Sequence, residues 1–281
     1  MNNTPKIPIS DFKFKINDRK YNIALVVDTC GPVSAFPGSG PPEDNIEEFA
    51  TFTHLIHLIS NKQNPCMVEL GCHWAMSSLL FRNIYPDGKN ILLEPDLCSL
   101  SIGRMNFHLN NFDCDSVWGS VFPGDPSTDP LDSGFVPDLN PRSRPIDFTE
   151  GVYKKFNLQN IDILHMDIQG SEFPLIKYLH ENNYLNKIVK STFIATHNIK
   201  EHHEIVNILK SNDFEIVVNE ERTRIRQDKA VFRKYLPEFK DEAYEFAKEV
   251  NEEVQVQEDG YFLIAYREPQ LTDGLIAAYK I

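Results

Sequence analysis

From residue 66 onward, short apolar runs alternate with stretches whose apolar positions recur every three or four residues. "CMVEL" (66–70) is the first run, and a glycine and the helix-like "WAMSSLLFRNIY" follow it. "NILLEPD" (90–96) precedes "LCSLSIGRMNFHLNN", and "DSVWGSVF" (115–122) is a third run. "IDILHMDI" (161–168) leads into a helical pattern over 171–183, and "KSTFIATHN" (190–198) into another over 200–212. "FEIVVNE" (214–220) and "GYFLIAYRE" (260–268) close the series. Strands alternating with helices of this length need crossover connections. The pattern therefore predicts an α/β fold: a mostly parallel, seven-stranded sheet with helices on both faces.

Ahead of this series, residues 7–27 alternate and then turn apolar, as in a hairpin or two short strands. A Gly-, Pro- and Ser-rich loop follows over 28–44, and "IEEFATFTHLIHLISN" then sets Phe49, Phe52, Leu55, Ile56 and Ile59 on one helical face. Residues 1–60 read as an N-terminal piece that could act as a lid, and 61–281 as the main domain. Within that domain, "FRKYLPEFKDEAYEFAKEV" marks a helical insertion at about 228–257, either over a substrate or solvated with no part in chemistry. The Pro- and Asp-rich segment 123–145 is a second long loop, and a pocket lid or a surface excursion would explain it equally well.

Charge and composition narrow the function. The 281 residues carry a formal net charge of −13, which gives no general attraction for nucleic acid or an anionic membrane. Five scattered cysteines contain no C-x-x-C pair, so neither a zinc knuckle nor a disulfide framework is expected. The N-terminus lacks the apolar core of a signal peptide, and no apolar run reaches the roughly 18 residues of a membrane span. A cytoplasmic protein is expected, with a homodimer left open.

Ligands of open parallel sheets bind beyond the carboxyl ends of the strands, so strand-final residues hold the chemistry. "VELGCHWA" (68–75) places Glu69, Gly71, Cys72 and His73 at the first such end. A dinucleotide fold would want G-x-G-x-x-G there, so that bare backbone can approach a pyrophosphate. Only Gly71 is present, and bulky His73 and Trp74 would hold a diphosphate away. Glu94 ends the second strand, where a carboxylate can accept both hydroxyls of a ribose. A ribose without a diphosphate points to S-adenosylmethionine rather than a nicotinamide dinucleotide.

With these motifs in view, the chain resembles the class I S-adenosylmethionine-dependent methyltransferases, whose fold is Rossmann-like. "VELGCHWA" and "LLEPD" look like their first two cofactor motifs. "IDILHMDIQGSEFPLI" (161–176) is similar to the signature of the FkbM family within them: an Asp, then Lys-x-Asp-x-Glu-Gly-x-Glu and an apolar helix. Asp162, Asp167, Gly170 and Glu172 match, His165 replaces the Lys, and Gln169 replaces the first Glu. The resemblance runs from about residue 65 to 217. By analogy, Gly119 and Ser120 in "WGSVF" would face the adenine, although a packing turn explains them as well.

The resemblance implies O-methylation of a sugar, glycan or natural-product hydroxyl, which needs an aligned acceptor and a base close to its oxygen. Asp167 ends the fourth strand and His197 the fifth, and these two are expected to be catalytic. No metal site is expected; if a divalent ion such as magnesium were used, Asp167 and His197 would be its ligands, but imidazole suits base chemistry better than magnesium. Glu172 is read as a first-turn acid that favours the helix dipole. A methyltransferase-like scaffold without catalysis, and a nicotinamide-dependent oxidoreductase, are the competing readings.

Overall fold

The computed structural model describes residues 9–16, 19–26, 52, 55–58, 63–122, 144–168, 170–221, 224–234, 253–256, 261–271 and 274–280. The chain divides into two compact units, Met1–Glu221 with Gly274–Ile281, and Arg222–Asp273.

In the larger unit, β1 (Ile9–Ile16) and β2 (Arg19–Val26) form an antiparallel pair. β3 (Cys66–Leu70) is followed by α1 (Met76–Ile84), and β4 (Lys89–Glu94) by α2 (Leu97–Leu109). Next come β5 (Asp115–Trp118), and the short pair β6 (Ser120–Phe122) and β7 (Pro145–Asp147). A π-helical turn spans Thr149–Lys154. β8 (Ile163–Met166) leads to α3 (Glu172–Glu181) and α4 (Tyr184–Lys187), and β9 (Ser191–Thr196) to α5 (Ile199–Ser211) and β10 (Phe214–Glu220). The smaller unit holds β11 (Arg224–Lys234), β12 (Glu253–Val256) and β13 (Tyr261–Leu271), and β14 (Gly274–Lys280) returns to the larger one.

The main sheet runs β10-β14-β9-β8-β3-β4-β5, seven strands as expected. β5, β4, β3, β8 and β9 are mutually parallel, and β14 lies antiparallel between β9 and β10. Chain order reverses between β3 and β8, so the crevice of this fold opens at the carboxyl ends of those two strands. Alternation along the strands builds two cores. Val68, Leu70, Leu93, Leu164, Met166 and Ile194 face α3 and α5 through Leu175, Leu179, Ile205 and Leu209. Met67, Leu92, Ile163 and Phe193 face the other way, onto Phe52, Leu55, Ile56, Leu79 and Phe107. With both faces covered, near-continuous apolar strands are the required pattern.

Three expectations change here. The seventh strand is "GLIAAYK" rather than 260–268, because Tyr261–Leu271 pairs with β11 and β12 in a separate three-stranded antiparallel sheet. The helical insertion expected at about 228–257 is strand at both ends, over 228–234 and 253–256, where ladder pairing overrides the local helical spacing. "DSVWGSVF" splits at Gly119 into strands of two different sheets. Within the larger unit, Ala24 and Asn110 exchange hydrogen bonds of 3.1 and 2.8 Å, which dock β2 against the end of α2. Loop 28–44, nearly all of loop 123–145, and Gln169 lie outside the described residues.

Candidate active site

Four loops meet at the crevice, and short-range backbone chemistry fixes each. After β3, the N–H groups of Gly71 and Cys72 both donate to the Leu93 carbonyl at 2.9 Å, and Ala75 N–H donates to Cys72 O at 2.6 Å. His73 and Ala75 take left-handed conformations, with φ of 47° and 62°. After β4, Glu94 ties this loop to the next one. Its Oε2 accepts the His73 N–H at 2.8 Å, and its Oε1 accepts the Asp96 N–H at 3.0 Å. Asp96 then caps α2 by accepting Ser99 N–H at 2.7 Å.

After β8, Asp167 N–H continues the ladder to Leu70 O at 3.0 Å. Gly170 then adopts φ of +96°, a region that glycine enters without strain. After β9, Asn198 caps α5 by accepting the N–H groups of Lys200 and Glu201, which leaves His197 at the strand end. His197 Nε2 lies 3.5 Å from Asp167 Oδ1, so the expected catalytic pair is brought together. The Asp167 side chain is 41% exposed and that of His197 11%.

Glu172 completes the cluster. Its Oε1 accepts the Ile168 N–H at 3.0 Å and faces His197 Nδ1 at 3.0 Å, while Oε2 accepts the Gly170 N–H at 2.9 Å. Its side chain is 2% exposed. A first-turn acid serving only the helix dipole would be solvated, so the earlier reading of Glu172 is incomplete. What identifies its role is burial, together with a partner 25 residues away.

The other expected residues divide. Glu94 is buried at the crevice, and Gly119 and Ser120 lie just past the end of β5, with Gly119 N–H on Glu94 O at 3.0 Å. Cys72 is a core residue, and burial holds its thiol well above the usual range. His73 stacks on Trp74 at 5.1 Å, and burial lowers its imidazole below the ordinary value. Trp74 is buried rather than projecting into the loop. Glu69 also sits in the core, opposite His165 in the β3–β8 register, with its Oε1 3.7 Å from His165 Nδ1. His165 stacks on Phe193, and neither of its nitrogens has a hydrogen-bond partner. Asp162 lies at the opposite end of the sheet, where its Oδ2 accepts the Cys66 N–H at 2.8 Å and locks β3 to β8.

The methyltransferase FkbM domain matches residues 89–216, from the start of β4 into β10, and so includes Glu94, Asp167, Glu172 and His197. This match covers less than half of the chain and supports a methyltransferase. No curated protein matches it in sequence. Among solved structures, it is similar to precorrin-6y C5,15-methyltransferase from Geobacter metallireducens, with 12% identity over 91% of this chain and 94% of that one, and a TM-score of 0.43. The delta-N METTL16 methyltransferase domain shows 10% identity over 91% and 88%, with a TM-score of 0.45. TrmK of M. capricolum, determined with S-adenosylhomocysteine, shows 9% identity over 80% and 67%, with a TM-score of 0.35. Among the described residues, no helix is long and apolar enough to cross a membrane.

The residues of this methyltransferase fit S-adenosylmethionine. The N–H groups of Gly71, Cys72, His73 and Ala75 are all spent inside the protein, so this loop cannot cradle a pyrophosphate. Carboxylates at the ends of β4 and β8 repel a diphosphate and suit a sulfonium cation. The fit to magnesium is poor. Asp167, Glu172 and His197 offer donor atoms within 4.8 Å of one another. However, Glu172 already accepts two backbone N–H groups and faces an imidazole nitrogen, and magnesium prefers a near-octahedral set of oxygens.

Proposed function

We propose that this methyltransferase transfers a methyl group from S-adenosylmethionine to a hydroxyl of a sugar, glycan or natural-product small molecule, with His197 as the base. The observation that supports this most directly is the placement of His197 Nε2 and Asp167 Oδ1, 3.5 Å apart, at the carboxyl ends of neighbouring parallel strands.

The bound donor supplies an activated sulfonium methyl, so the chain's task is to hold, align and deprotonate. Glu94, clamped by two backbone N–H groups, accepts hydrogen bonds from the ribose hydroxyls. Gly119 and Ser120 face the adenine, and Gly71 lets the loop after β3 pass close to Asp167. An acceptor hydroxyl that donates to His197 Nε2 would sit about 2.8 Å from that nitrogen, with Asp167 Oδ1 alongside. His197 Nε2 would take the hydroxyl proton as the acceptor oxygen gains the methyl group, with the donor leaving as a neutral thioether. Asp167 stabilises the imidazolium so formed. Positioned proton transfer of this kind contributes about 10²–10⁴-fold, and alignment about 7–11 kcal/mol.

The test uses a donor carrying a deuterated methyl group, incubated with panels of glycans and hydroxylated small molecules and read by mass spectrometry. Label on an oxygen of one class of acceptor is the expected result. Label found only on nitrogen, or only on RNA, would replace this reading.

A further inference from the structure

We propose that Glu172 is a positioning residue. It holds His197 in the tautomer with hydrogen on Nδ1, and so leaves the Nε2 lone pair facing Asp167 and the acceptor. This rests on the reading of His197 as the base, and adds a residue to that site.

The geometry requires a donor at Nδ1. Both oxygens of Glu172 accept backbone N–H groups, Oε1 from Ile168 at 3.0 Å and Oε2 from Gly170 at 2.9 Å. A carboxylate oxygen committed to accepting and 3.0 Å from Nδ1 pairs with an N–H there. In a neutral imidazole the other nitrogen is then the acceptor. Nε2, 3.5 Å from Asp167 Oδ1, is the atom that takes a proton.

The same carboxylate sets the second member of the pair. Ile168 and Gly170 are the backbone just past Asp167, so Glu172 fixes the loop that carries Asp167 as well as the ring of His197. Burial makes this clamp stiff. With a side chain only 2% exposed, Glu172 cannot exchange its three N–H partners for water. This also separates the base arrangement from a metal centre, since ligation by Glu172 would take the oxygens away from the loop and the ring.

Long-range nitrogen–proton correlation spectra of protein labelled with ¹⁵N-histidine read the tautomer directly. The His197 signals are identified by their loss in His197→Asn. The wild-type protein is expected to show a pyrrole-type Nδ1 and a pyridine-type Nε2 at His197. The reverse pattern would overturn the proposal, and no variant is needed to see it. Glu172→Gln keeps the shape, but an amide conflicts with a backbone N–H in either orientation, so a mixture of tautomers is expected. An unchanged single tautomer in that variant would overturn the control by Glu172.

Turnover of Glu172→Gln should fall at least tenfold while donor affinity stays within about threefold. Manganese chloride at millimolar concentration should leave the His197 signals intact, and selective bleaching would replace the clamp with a cation site. If the tautomer is as stated but His197→Asn keeps full turnover, the base reading fails while the Glu172–His197 geometry stands.

Discussion

A methyl group placed on Gly71 would lie 1.9 Å from the carbonyl oxygen of Asp167. The loop after β3 and the loop after β8 thus pass backbone to backbone, at the point where the order of the sheet reverses. Gly71 also has φ of +76°, so an L side chain there meets both backbone strain and a collision. Its partner atom is main chain and cannot swing aside.

Gly71→Ala should therefore destabilise the fold by roughly 1–3 kcal/mol, in the range of overpacking substitutions. It should also displace Asp167, so that turnover falls by more than the loss of folded protein explains. Urea denaturation together with turnover per folded molecule separates the two effects. A variant as stable and as active as the parent would mean that the two loops are not in contact.

Glu94 bridges the first two loops through its two oxygens, and it is also the expected ribose ligand. Glu94→Ala should weaken binding of S-adenosylmethionine at least tenfold, since hydrogen bonds to a charged group contribute about 1.5–3 kcal/mol. Isothermal titration measures this without any acceptor. Unaltered donor affinity would remove Glu94 from the cofactor site and leave it only the loop contacts to His73 and Asp96.

Asp167→Asn should separate catalysis from binding in the opposite sense. The amide keeps the size of the side chain but removes the charge proposed to stabilise an imidazolium at His197, 3.5 Å away. Turnover on the acceptor found by methyl labelling should drop about 10²-fold or more, with donor affinity within threefold of the parent. Wild-type turnover in this variant would take Asp167 out of the mechanism.

The strand ends that carry these groups could be read from the chain because buried parallel strands leave plain apolar runs, and each run stops at a polar residue: Glu94, Asp167 and His197. Glu172 was not legible in the same way. A carboxylate in the first turn of a helix already has a local explanation, and neither its burial nor its partner across 25 residues is written in the local pattern. The pairing of Glu69 with His165 depends on the register between β3 and β8, which the two segments do not specify separately. The strand at 274–280 is masked in the sequence by the longer alternating run before it, which competes for the same place in the sheet. "FRKYLPEFKDEAYEFAKEV" has helical spacing, yet its first residues belong to β11, where pairing with β13 decides the outcome.

The Glu69–His165 pair yields a pH dependence that does not involve turnover. Burial raises the Glu69 carboxyl from 4.5 to about 8, opposed by hydrogen bonds from Ser78 and reinforced by the charges of Glu94 and Asp167. Burial lowers His165 from 6.5 to about 4. At neutral pH both are uncharged, so their 3.7 Å separation is a contact rather than an ion pair. The folded state holds the Glu69 proton more tightly than the unfolded chain does, so this contribution is complete below pH 4.5 and is lost as pH rises toward 8. His165 acts in the opposite sense: its contribution is complete above pH 6.5 and is lost as pH falls toward 4. Between 4.5 and 6.5 the two slopes oppose each other, and between 6.5 and 8 only that of Glu69 remains. Wild-type stability should therefore decline from pH 6.5 to 8, and Glu69→Gln, which has no carboxyl to ionise, should lose that part of the decline. Urea midpoints of both proteins at the two pH values measure the difference. An equal decline in both would show that Glu69 is already ionised in the folded protein, and that His165 must then be read as its charged partner.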